Sequence, residues 1–252
     1  MIRSQRPLVV ATALALAAAV LSASGCSGFD DHAPGHATAQ LPIVGGNIEG
    51  GWPGVGALTF TYPGYGYQGS FCTGTLIAPQ WVLTAAHCLE SHDDFELSPE
   101  IVSFYLGTNA QPTQSFSGLP SDGAFYPVDA FYSHPDYNPN NADGTNDIGL
   151  MHLASPVLDI APLPYNTSAL KGNDIGKSVL YVGYGVTNGI DQTGGGLKRS
   201  GYLPVSYLED NEYFSEFDGT GVCFGDSGGP GILELAGEVR IVGVNARVGA
   251  EE

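Results

Sequence analysis

The stretch Gly225-Asp226-Ser227-Gly228-Gly229-Pro230 places a serine in a glycine-rich turn, directly after an acidic residue. Two further stretches precede it, Thr84-Ala85-Ala86-His87-Cys88 and Asn146-Asp147-Ile148-Gly149-Leu150. A serine hydroxyl is a weak nucleophile until a neighbouring imidazole accepts its proton, and a carboxylate holds that imidazole in the required tautomer. In chain order the three stretches supply His, Asp and Ser. The sequence therefore contains the three groups of an acyl-transfer site.

The order of the histidines argues against one alternative. The segment around Ser227 also fits the G-x-S-x-G turn that carries the nucleophile of α/β-hydrolases, in which the histidine follows the serine. All the histidines of the chain precede Ser227, namely His32, His36, His87, His92, His134 and His152. The α/β-hydrolase interpretation therefore fails unless a histidine lies beyond Glu252.

With further stretches of the chain, these residues resemble the chymotrypsin/trypsin family of serine endopeptidases. The segments Phe71-Cys72-Thr73-Gly74-Thr75-Leu76-Ile77 and Trp81-Val82-Leu83-Thr84-Ala85-Ala86-His87-Cys88 resemble the strand and turn that carry the histidine of that family. The other matching stretches are Ile43-Val44-Gly45-Gly46, which resembles the mature N-terminus, Ser133-His134-Pro135-Asp136-Tyr137-Asn138, and Gly183-Tyr184-Gly185, where the family usually has Gly-Trp-Gly. The resemblance covers residues 43 to about 245.

The resemblance implies an all-β fold of two six-stranded antiparallel barrels of the trypsin-like type, with the second barrel incomplete. The site would lie in the cleft between them. The composition agrees, because 36 Gly and 17 Pro are spread among short runs of Val, Tyr, Phe and Thr. That pattern is typical of many short strands joined by turns. After the N-terminal segment, no long stretch has the apolar spacing of a helix.

The resemblance also assigns the catalytic roles. His87 would act as general base and then general acid, Asp147 would orient it, and Ser227 would be the nucleophile. The backbone N–H groups of Gly225 and Ser227 would form the oxyanion hole, in which one donor is typically worth about 10²–10³ in rate. A glycine at position 225 suits this role, because its backbone can turn inward without a side chain in the way.

Asp226 has a separate role in the family. It would form a buried ion pair with the α-amino group of Ile43, and that amine exists only after cleavage between Pro42 and Ile43. A buried carboxylate without a partner is costly, so pairing would switch the site on. The family usually has Arg or Lys before the cut, whereas this chain has Leu41-Pro42. We therefore expect activation by another, unknown protease rather than trypsin-like self-activation.

The specificity pocket can be partly predicted from the same resemblance. Trypsin-like enzymes carry an aspartate at its base, and this chain has Gly221 there. The segment containing Gly221, Val222 and Phe224 resembles that of elastase-type enzymes. We expect small or medium apolar residues at P1, the substrate residue before the cleaved bond. Selectivity should be modest, since one methylene is worth about 1–3 kcal/mol in such a pocket.

A calcium loop is the alternative for the segment from Asp136 to Asp147, which is rich in Asp and Asn. A calcium loop of the EF-hand type needs Gly at its sixth position and Glu at its twelfth. Here those positions hold Asn141 and Asp147. We therefore expect neither a metal nor a cofactor.

The N-terminus has the features of an export signal. Arg3 and Arg6 precede the apolar residues 8–21, and small residues follow up to Gly25-Cys26. This predicts a signal peptide over residues 1–25, a tether or pro-segment over 26–42, and a protease domain over 43–252. The Gly25-Cys26 junction resembles a bacterial lipoprotein signal, although Ala23 stands where that signal prefers a larger aliphatic residue. Acylation of Cys26 would anchor the protein to the bacterial cell envelope, and ordinary cleavage would secrete it.

Four cysteines are present. The family pairs the equivalents of Cys72 and Cys88, and a disulfide suits an exported protein. The cysteine four residues before the serine normally pairs with one further along the chain, and this chain has none after Cys223. We therefore expect Cys223 to be a free thiol or to have lost its partner.

The net charge of −18 excludes a nucleic-acid-binding role, because no Lys or Arg occurs between Arg6 and Lys171. The acidity suits solubility outside the cell. The expected partners are protein or peptide substrates and the activating protease, and we expect a monomer.

The C-terminal segment departs from the family. Val242-Gly243-Val244-Asn245 matches the cleft strand, and Ala246-Arg247-Val248 then replaces the usual Ser-Trp-Gly. The pattern predicts a C-terminally truncated protease with an open second barrel and an exposed strand edge. Three functions stay open on the sequence alone: an active exported endopeptidase, an inactive protease-like binding protein, and an unstable truncated remnant.

Overall fold

A computed structural model of the chain describes residues 43, 46–91, 96–113, 118–140, 145–216 and 221–248. The predicted signal peptide and the tether lie outside this part of the chain. Within it, helices are confined to three single 3₁₀ turns, at His87–Leu89, Pro99–Ile101 and Gly172–Asp174. No helix of the described residues has the length and apolar character needed to cross a membrane.

The first half of the chain forms a closed six-stranded antiparallel barrel. Its strands are β2 (Val55–Tyr62), β3 (Gly66–Ala78), β4 (Trp81–Thr84), β5 (Val102–Leu106), β6 (Ala124–Ser133) and β7 (Gly149–Leu153). They close in the order β2-β3-β4-β7-β6-β5.

Alternation of side chains explains why these short segments become barrel strands. In β7, Gly149, Met151 and Leu153 are buried, while the residues between them are partly exposed. A strand places successive side chains on opposite faces, so the odd-numbered residues of β7 point into the barrel. The barrel core contains large side chains that are fully buried, among them Leu58, Leu76, Val82, Phe104, Met151 and Leu153.

The second half forms an open five-stranded sheet with an associated hairpin. The sheet consists of β1 (Asn47–Ile48), β8 (Ser178–Gly183), β9 (Arg199–Pro204), β12 (Pro230–Leu235) and β13 (Glu238–Val244), in the order β1-β9-β8-β12-β13. The hairpin pairs β10 (Tyr207–Glu209) with β11 (Glu212–Phe214).

The second half has its own core. Ile43 packs there against four buried side chains of the sheet and one that follows β9, namely Val179, Tyr181, Leu203, Leu233 and Val205. The all-β prediction and the trypsin-like barrel are confirmed. Among the described residues the second unit is an open sheet, in agreement with the expectation of an incomplete second barrel.

Candidate active site

Strand pairing brings His87 and Asp147 to the same end of two neighbouring strands. β4 and β7 are antiparallel, with Thr84 opposite Gly149. His87 follows the end of β4 by three residues, and Asp147 precedes the start of β7 by two. Asn146 turns the chain with a positive φ of 60°, a conformation that Asn tolerates better than most residues.

His87 and Asp147 share two hydrogen bonds. Nδ1 of His87 lies 2.6 Å from Oδ2 of Asp147, and the backbone N–H of His87 donates to Oδ1 at 2.8 Å. The side chain of Asp147 is 6% exposed and that of His87 is 31% exposed. An ionised carboxylate only accepts hydrogen bonds, so Nδ1 carries the proton and Nε2 is left as the acceptor.

The turn that carries Ser227 begins and ends in positive φ. Gly225 has φ +92° and Gly228 has φ +80°, where side-chain-bearing residues are strained. A Cβ on Gly228 would also contact the backbone of Thr73. In the described part of the chain, no acceptor takes a hydrogen bond from the backbone N–H of Gly225 or Ser227. Both donors are therefore unoccupied in the place where an oxyanion hole is expected.

Ser227 and His87 do not form a hydrogen bond within the described structure. Nε2 of His87 instead lies 3.6 Å from Sγ of Cys88. In unliganded sites the nucleophile–base hydrogen bond is often long and tightens when substrate binds.

Thr73 connects the two halves at the site, and the sequence analysis did not assign it a role. Its hydroxyl donates to the carbonyl of Gly225 at 2.8 Å and accepts from the N–H of Tyr184 at 3.1 Å. Its backbone N–H donates to the carbonyl of Ser227 at 2.8 Å. The partners of its hydroxyl lie 111 and 152 residues away, so no local pattern in the sequence indicated these contacts. Thr73 thus fixes the turn of Ser227 onto the first barrel.

Asp226 points into the protein. It is 1% exposed, and its carboxylate accepts hydrogen bonds from the N–H of Gly185 at 2.7 Å and of Cys223 at 2.9 Å. A Cβ on Gly183 or Gly185 would collide with that carboxylate, which gives a physical reason for glycine on both sides of Tyr184. Burial raises the pKa of Asp226 to about 6, against the lowering effect of the two backbone donors and of Arg199.

Ile43, the other member of the expected activation pair, is buried at 2% exposure. In this uncleaved chain its nitrogen belongs to a peptide bond and has no charge. The ion pair with Asp226 therefore stays a prediction about the cleaved protein.

A small cavity adjoins Ser227. Its lining residues are Val222, Cys223, Ser227, Asn245, Ala246, Arg247 and Val248. Of the three predicted pocket residues, Val222 lies in this lining. Gly221 is buried and Phe224 is 43% exposed, and neither is among the lining residues of the described structure. The charge of Arg247 is paired with Glu212 at 2.6 Å.

One of the two predictions about the described cysteines is confirmed and the other is wrong. Cys72 and Cys88 form a disulfide, as the resemblance implied. The expectation of a free or partnerless thiol at Cys223 was wrong, because Cys223 is disulfide-bonded. The other two described cysteines bond each other, so the partner of Cys223 lies outside the described residues. The expectation failed because it sought a partner only after Cys223 in the chain. Cys26 also lies outside the described residues. Its acylation stays a prediction, and it applies only to a chain in which the sulfur of Cys26 is not in a disulfide.

No group of the described residues offers a ready metal site. Cys72, His87 and Cys88 bring their side chains together, but both sulfurs are in the disulfide and provide no thiolate. Of the calcium-loop alternative, Asn141 lies outside the described residues, and both oxygens of Asp147 accept from His87.

Comparison with known proteins identifies relatives over most of the chain. The family model described as Trypsin matches residues 47–251. Chymotrypsin-like elastase family member 1 of Canis lupus familiaris is 30% identical over 241 residues, which cover 85% of this chain and 86% of the relative. The protein of the same name from Rattus norvegicus is 28% identical over 240 residues, covering 85% and 84%.

A relative with a different name is also similar. Melanization protease 1 of Drosophila melanogaster is 31% identical over 219 residues, which cover 76% of this chain and 54% of that protein. The matched family, the closed antiparallel barrel and the order of the matching segments agree with one another. The chain belongs to the trypsin family of serine proteases, which supports a peptidase function.

Proposed function

We propose that this protein is an exported serine endopeptidase that cleaves peptide bonds through an acyl-enzyme. Ser227 is the nucleophile, His87 the base and acid, and Asp147 the orienting carboxylate. The observation that carries the proposal is the pair of hydrogen bonds from His87 to Asp147. These bonds fix the tautomer that leaves Nε2 free to accept a proton.

The first half of the reaction forms an ester on Ser227. Oγ bonds to the carbonyl carbon of the substrate while its proton passes to Nε2 of His87. The N–H groups of Gly225 and Ser227 stabilise the resulting oxyanion. His87 then gives the proton to the leaving amine as the peptide C–N bond breaks.

The second half of the reaction hydrolyses the ester on Ser227 and releases the carboxylic acid product. Water loses a proton to Nε2 and attacks the ester carbonyl, and His87 returns the proton to Oγ as the ester bond breaks. Asp147 keeps its charge throughout and stabilises the imidazolium form of His87.

Substrate selection follows from the cavity beside Ser227. Val222 contributes an apolar wall, and the pairing of Arg247 with Glu212 removes the local net charge. We propose small or medium apolar residues at P1.

Labelling with a fluorophosphonate probe tests the catalytic assignment. Oγ of Ser227 would attack phosphorus and displace fluoride, with His87 accepting the proton. We expect wild type to be labelled, and Ser227→Ala and His87→Ala to remain unlabelled. Ser155→Ala, which removes an exposed hydroxyl, is the matched control and should be labelled normally. Labelling of the Ser227→Ala variant at another residue would overturn the assignment.

Export and activation complete the proposal. Residues 1–25 would direct export, and cleavage before Ile43 by another protease would supply the amine that pairs with Asp226. If Cys26 is acylated, the protein would be anchored to the cell envelope until that cleavage. Metabolic incorporation of a fatty-acid analogue should mark wild type and not Cys26→Ser. An unmarked wild type would leave secretion as the destination.

A further inference from the structure

The buried carboxylate of Asp226 lacks an ion-pair partner among the described residues. Its hydrogen bonds come from two uncharged backbone groups, those of Gly185 and Cys223. Backbone donors offset part of the desolvation cost of a buried charge, and a positive charge nearby adds to that effect. A cation close to Asp226 would therefore favour the ionised carboxylate in the uncleaved chain.

Few of the Lys and Arg residues in the described chain can serve as the countercharge of Asp226. The described chain holds its Lys and Arg residues only from Lys171 onward. Lys177, Arg240 and Arg247 each pair with a carboxylate elsewhere. Lys198 is buried, donates to the carbonyl of Trp52 at 3.3 Å and lies over the ring of Tyr184.

Arg199 is the remaining buried cation. It is 5% exposed and stands opposite Gly183 in the pairing of β8 with β9. Its Nη1 donates to the carbonyl of Gly194 at 2.7 Å and reaches those of Leu197 and Gly185 at 3.3 and 3.5 Å. Its Nε is buried and has no hydrogen-bond partner in the described structure.

Gly185 connects the two charges. Its N–H donates to Asp226 and its carbonyl faces the guanidinium of Arg199. Burial raises the pKa of Asp226 and lowers the pKa of Arg199, and the attraction between the two groups opposes both shifts, because each charge favours the ionised form of the other. Arg199 is the charged residue of the described chain that exerts this effect on Asp226. Because both groups are buried, solvent screens their attraction weakly.

We infer that Arg199 is a positioning residue that holds Asp226, and with it the Cys223–Ser227 turn, in the catalytic conformation before the chain is cut at Ile43. The single chain therefore has basal peptidase activity, although Leu41-Pro42 is a poor cleavage site. This inference rests on the proposed peptidase function. It differs from the family's N-terminal ion pair, because the countercharge comes from β9 inside the domain.

The test compares Ser227 labelling rates in two forms of the full chain. The uncut form is confirmed by intact mass. The cut form comes from a chain whose residues 38–42 are replaced by four aspartates and a lysine, so that enteropeptidase releases Ile43 as the N-terminus. In the uncut form at pH 6, Arg199→Gln should slow labelling by about fivefold or more, because loss of a countercharge raises the pKa of a buried acid by about one to three units and leaves less of it ionised.

Matched variants separate charge from packing. Arg199→Lys should restore most of the labelling rate, since it keeps the positive charge. Lys198→Gln, which removes the neighbouring buried cation, should label like wild type. In the cut form, Arg199→Gln should recover to within about threefold of wild type, because the Ile43 amine then supplies the charge. If Arg199 only stabilised the fold, cutting the chain before Ile43 would not restore the labelling rate of Arg199→Gln.

The outcomes distinguish the inference from the proposed function. Labelling of wild type only after cutting supports the peptidase proposal and overturns the role of Arg199. Equal labelling of wild type and Arg199→Gln in the uncut form also overturns it. If neither the cut nor the uncut form of wild type is labelled, the peptidase proposal fails. The role of Arg199 beside Asp226 is then decided by a measurement of unfolding free energy.

Urea unfolding of uncut chains between pH 4 and 8 is that second measurement. In Arg199→Gln the folded-state pKa of Asp226 should be higher than in wild type. The loss of stability from ionising Asp226 should therefore begin at the same pH, near the unfolded pKa of 3.8, extend to higher pH and be larger in total. Identical profiles after correction for Asp226→Asn would overturn the inference.

Discussion

Both carboxylate oxygens of Asp147 accept hydrogen bonds from His87, one from ring Nδ1 at 2.6 Å and one from the backbone N–H at 2.8 Å. The backbone bond sets the position of the carboxylate, and the ring bond sets the tautomer of the imidazole. Asp147 therefore fixes both the orientation of His87 and the ring nitrogen of His87 that carries the proton.

Replacing Asp147 with Asn should leave the fold intact and lower the rate of peptide hydrolysis by about 10⁴-fold, the magnitude known for loss of this carboxylate in triads of the same type. The asparagine amide can present N–H to Nδ1 and so favour the wrong tautomer. Steady-state hydrolysis at neutral pH measures the effect, with circular dichroism as the control for folding. A loss below about tenfold would contradict the role of Asp147.

The P1 preference can be measured with peptides that differ only at that residue. We expect kcat/KM to be at least about tenfold higher after Ala or Val than after Arg, since a pocket without a countercharge must desolvate the guanidinium. Faster turnover of the Arg peptide would contradict the assignment of an apolar pocket beside Val222.

Asp226 predicts a pH dependence of stability in the uncut chain. Its pKa is raised from 3.8 to about 6 in the folded state, so the folded state holds the proton more tightly than the unfolded state. The stability that this proton provides is fully present below about pH 3.8 and is lost as the pH rises through about 6. A shift of this size corresponds to about 3 kcal/mol.

The measurement is the free energy of unfolding of wild type and Asp226→Asn from pH 3.5 to 7.5. The difference between the two curves should change across that window and level off above it. A difference that does not vary with pH would show that Asp226 does not titrate there. In a chain cut before Ile43 the change should shrink, because the new amine favours the charged carboxylate.

Thr73→Val should weaken the site as well as the fold. The variant keeps the shape of the side chain but leaves the carbonyl of Gly225 and the N–H of Tyr184 without their partner. We expect a loss of about 1–3 kcal/mol in unfolding free energy and slower labelling of Ser227. The matched control is Thr59→Val, which removes a buried hydrogen bond to Ser103 inside the first barrel. That control should lose stability and keep its labelling rate per folded molecule.

Gly185→Ala should disrupt the site through Asp226. The added Cβ would overlap the buried carboxylate, which is held on two sides and cannot move away freely. We expect a destabilisation of about 1–3 kcal/mol, typical of overpacking in a core. Gly50→Ala is the control, since a Cβ there would contact nothing within 4 Å. Equal melting temperatures for both variants would contradict the packing assigned to the Gly183-Tyr184-Gly185 segment.

The family resemblance carried by local motifs was sufficient to predict the barrel, and the structure brings His87 and Asp147 of the candidate triad together. The segment Trp81-Val82-Leu83-Thr84 before His87 resembled a strand of that family, and the structure places β4 there. The disulfide from Cys72 to Cys88 spans a short separation of 16 residues. The contacts that position the nucleophile were not predictable in this way. Thr73 meets Gly225 across 152 residues, and no local pattern marks a threonine for that contact. Arg199 was missed because a basic residue in a strand is usually exposed, and its burial depends on how β9 packs in the sheet.

The bonds of Thr73 also bear on how the molecule loses activity. They join the barrel to the turn of Ser227, so the nucleophile keeps its place only while the two halves are docked. Among the described residues the second sheet does not close on itself as the barrel does, and we expect it to detach first as denaturant is added. Hydrolysis would then stop while the barrel is still folded. Partly unfolded molecules could then be cleaved but could not cleave one another. Self-digestion would depend on the fraction of molecules in which both halves are still docked.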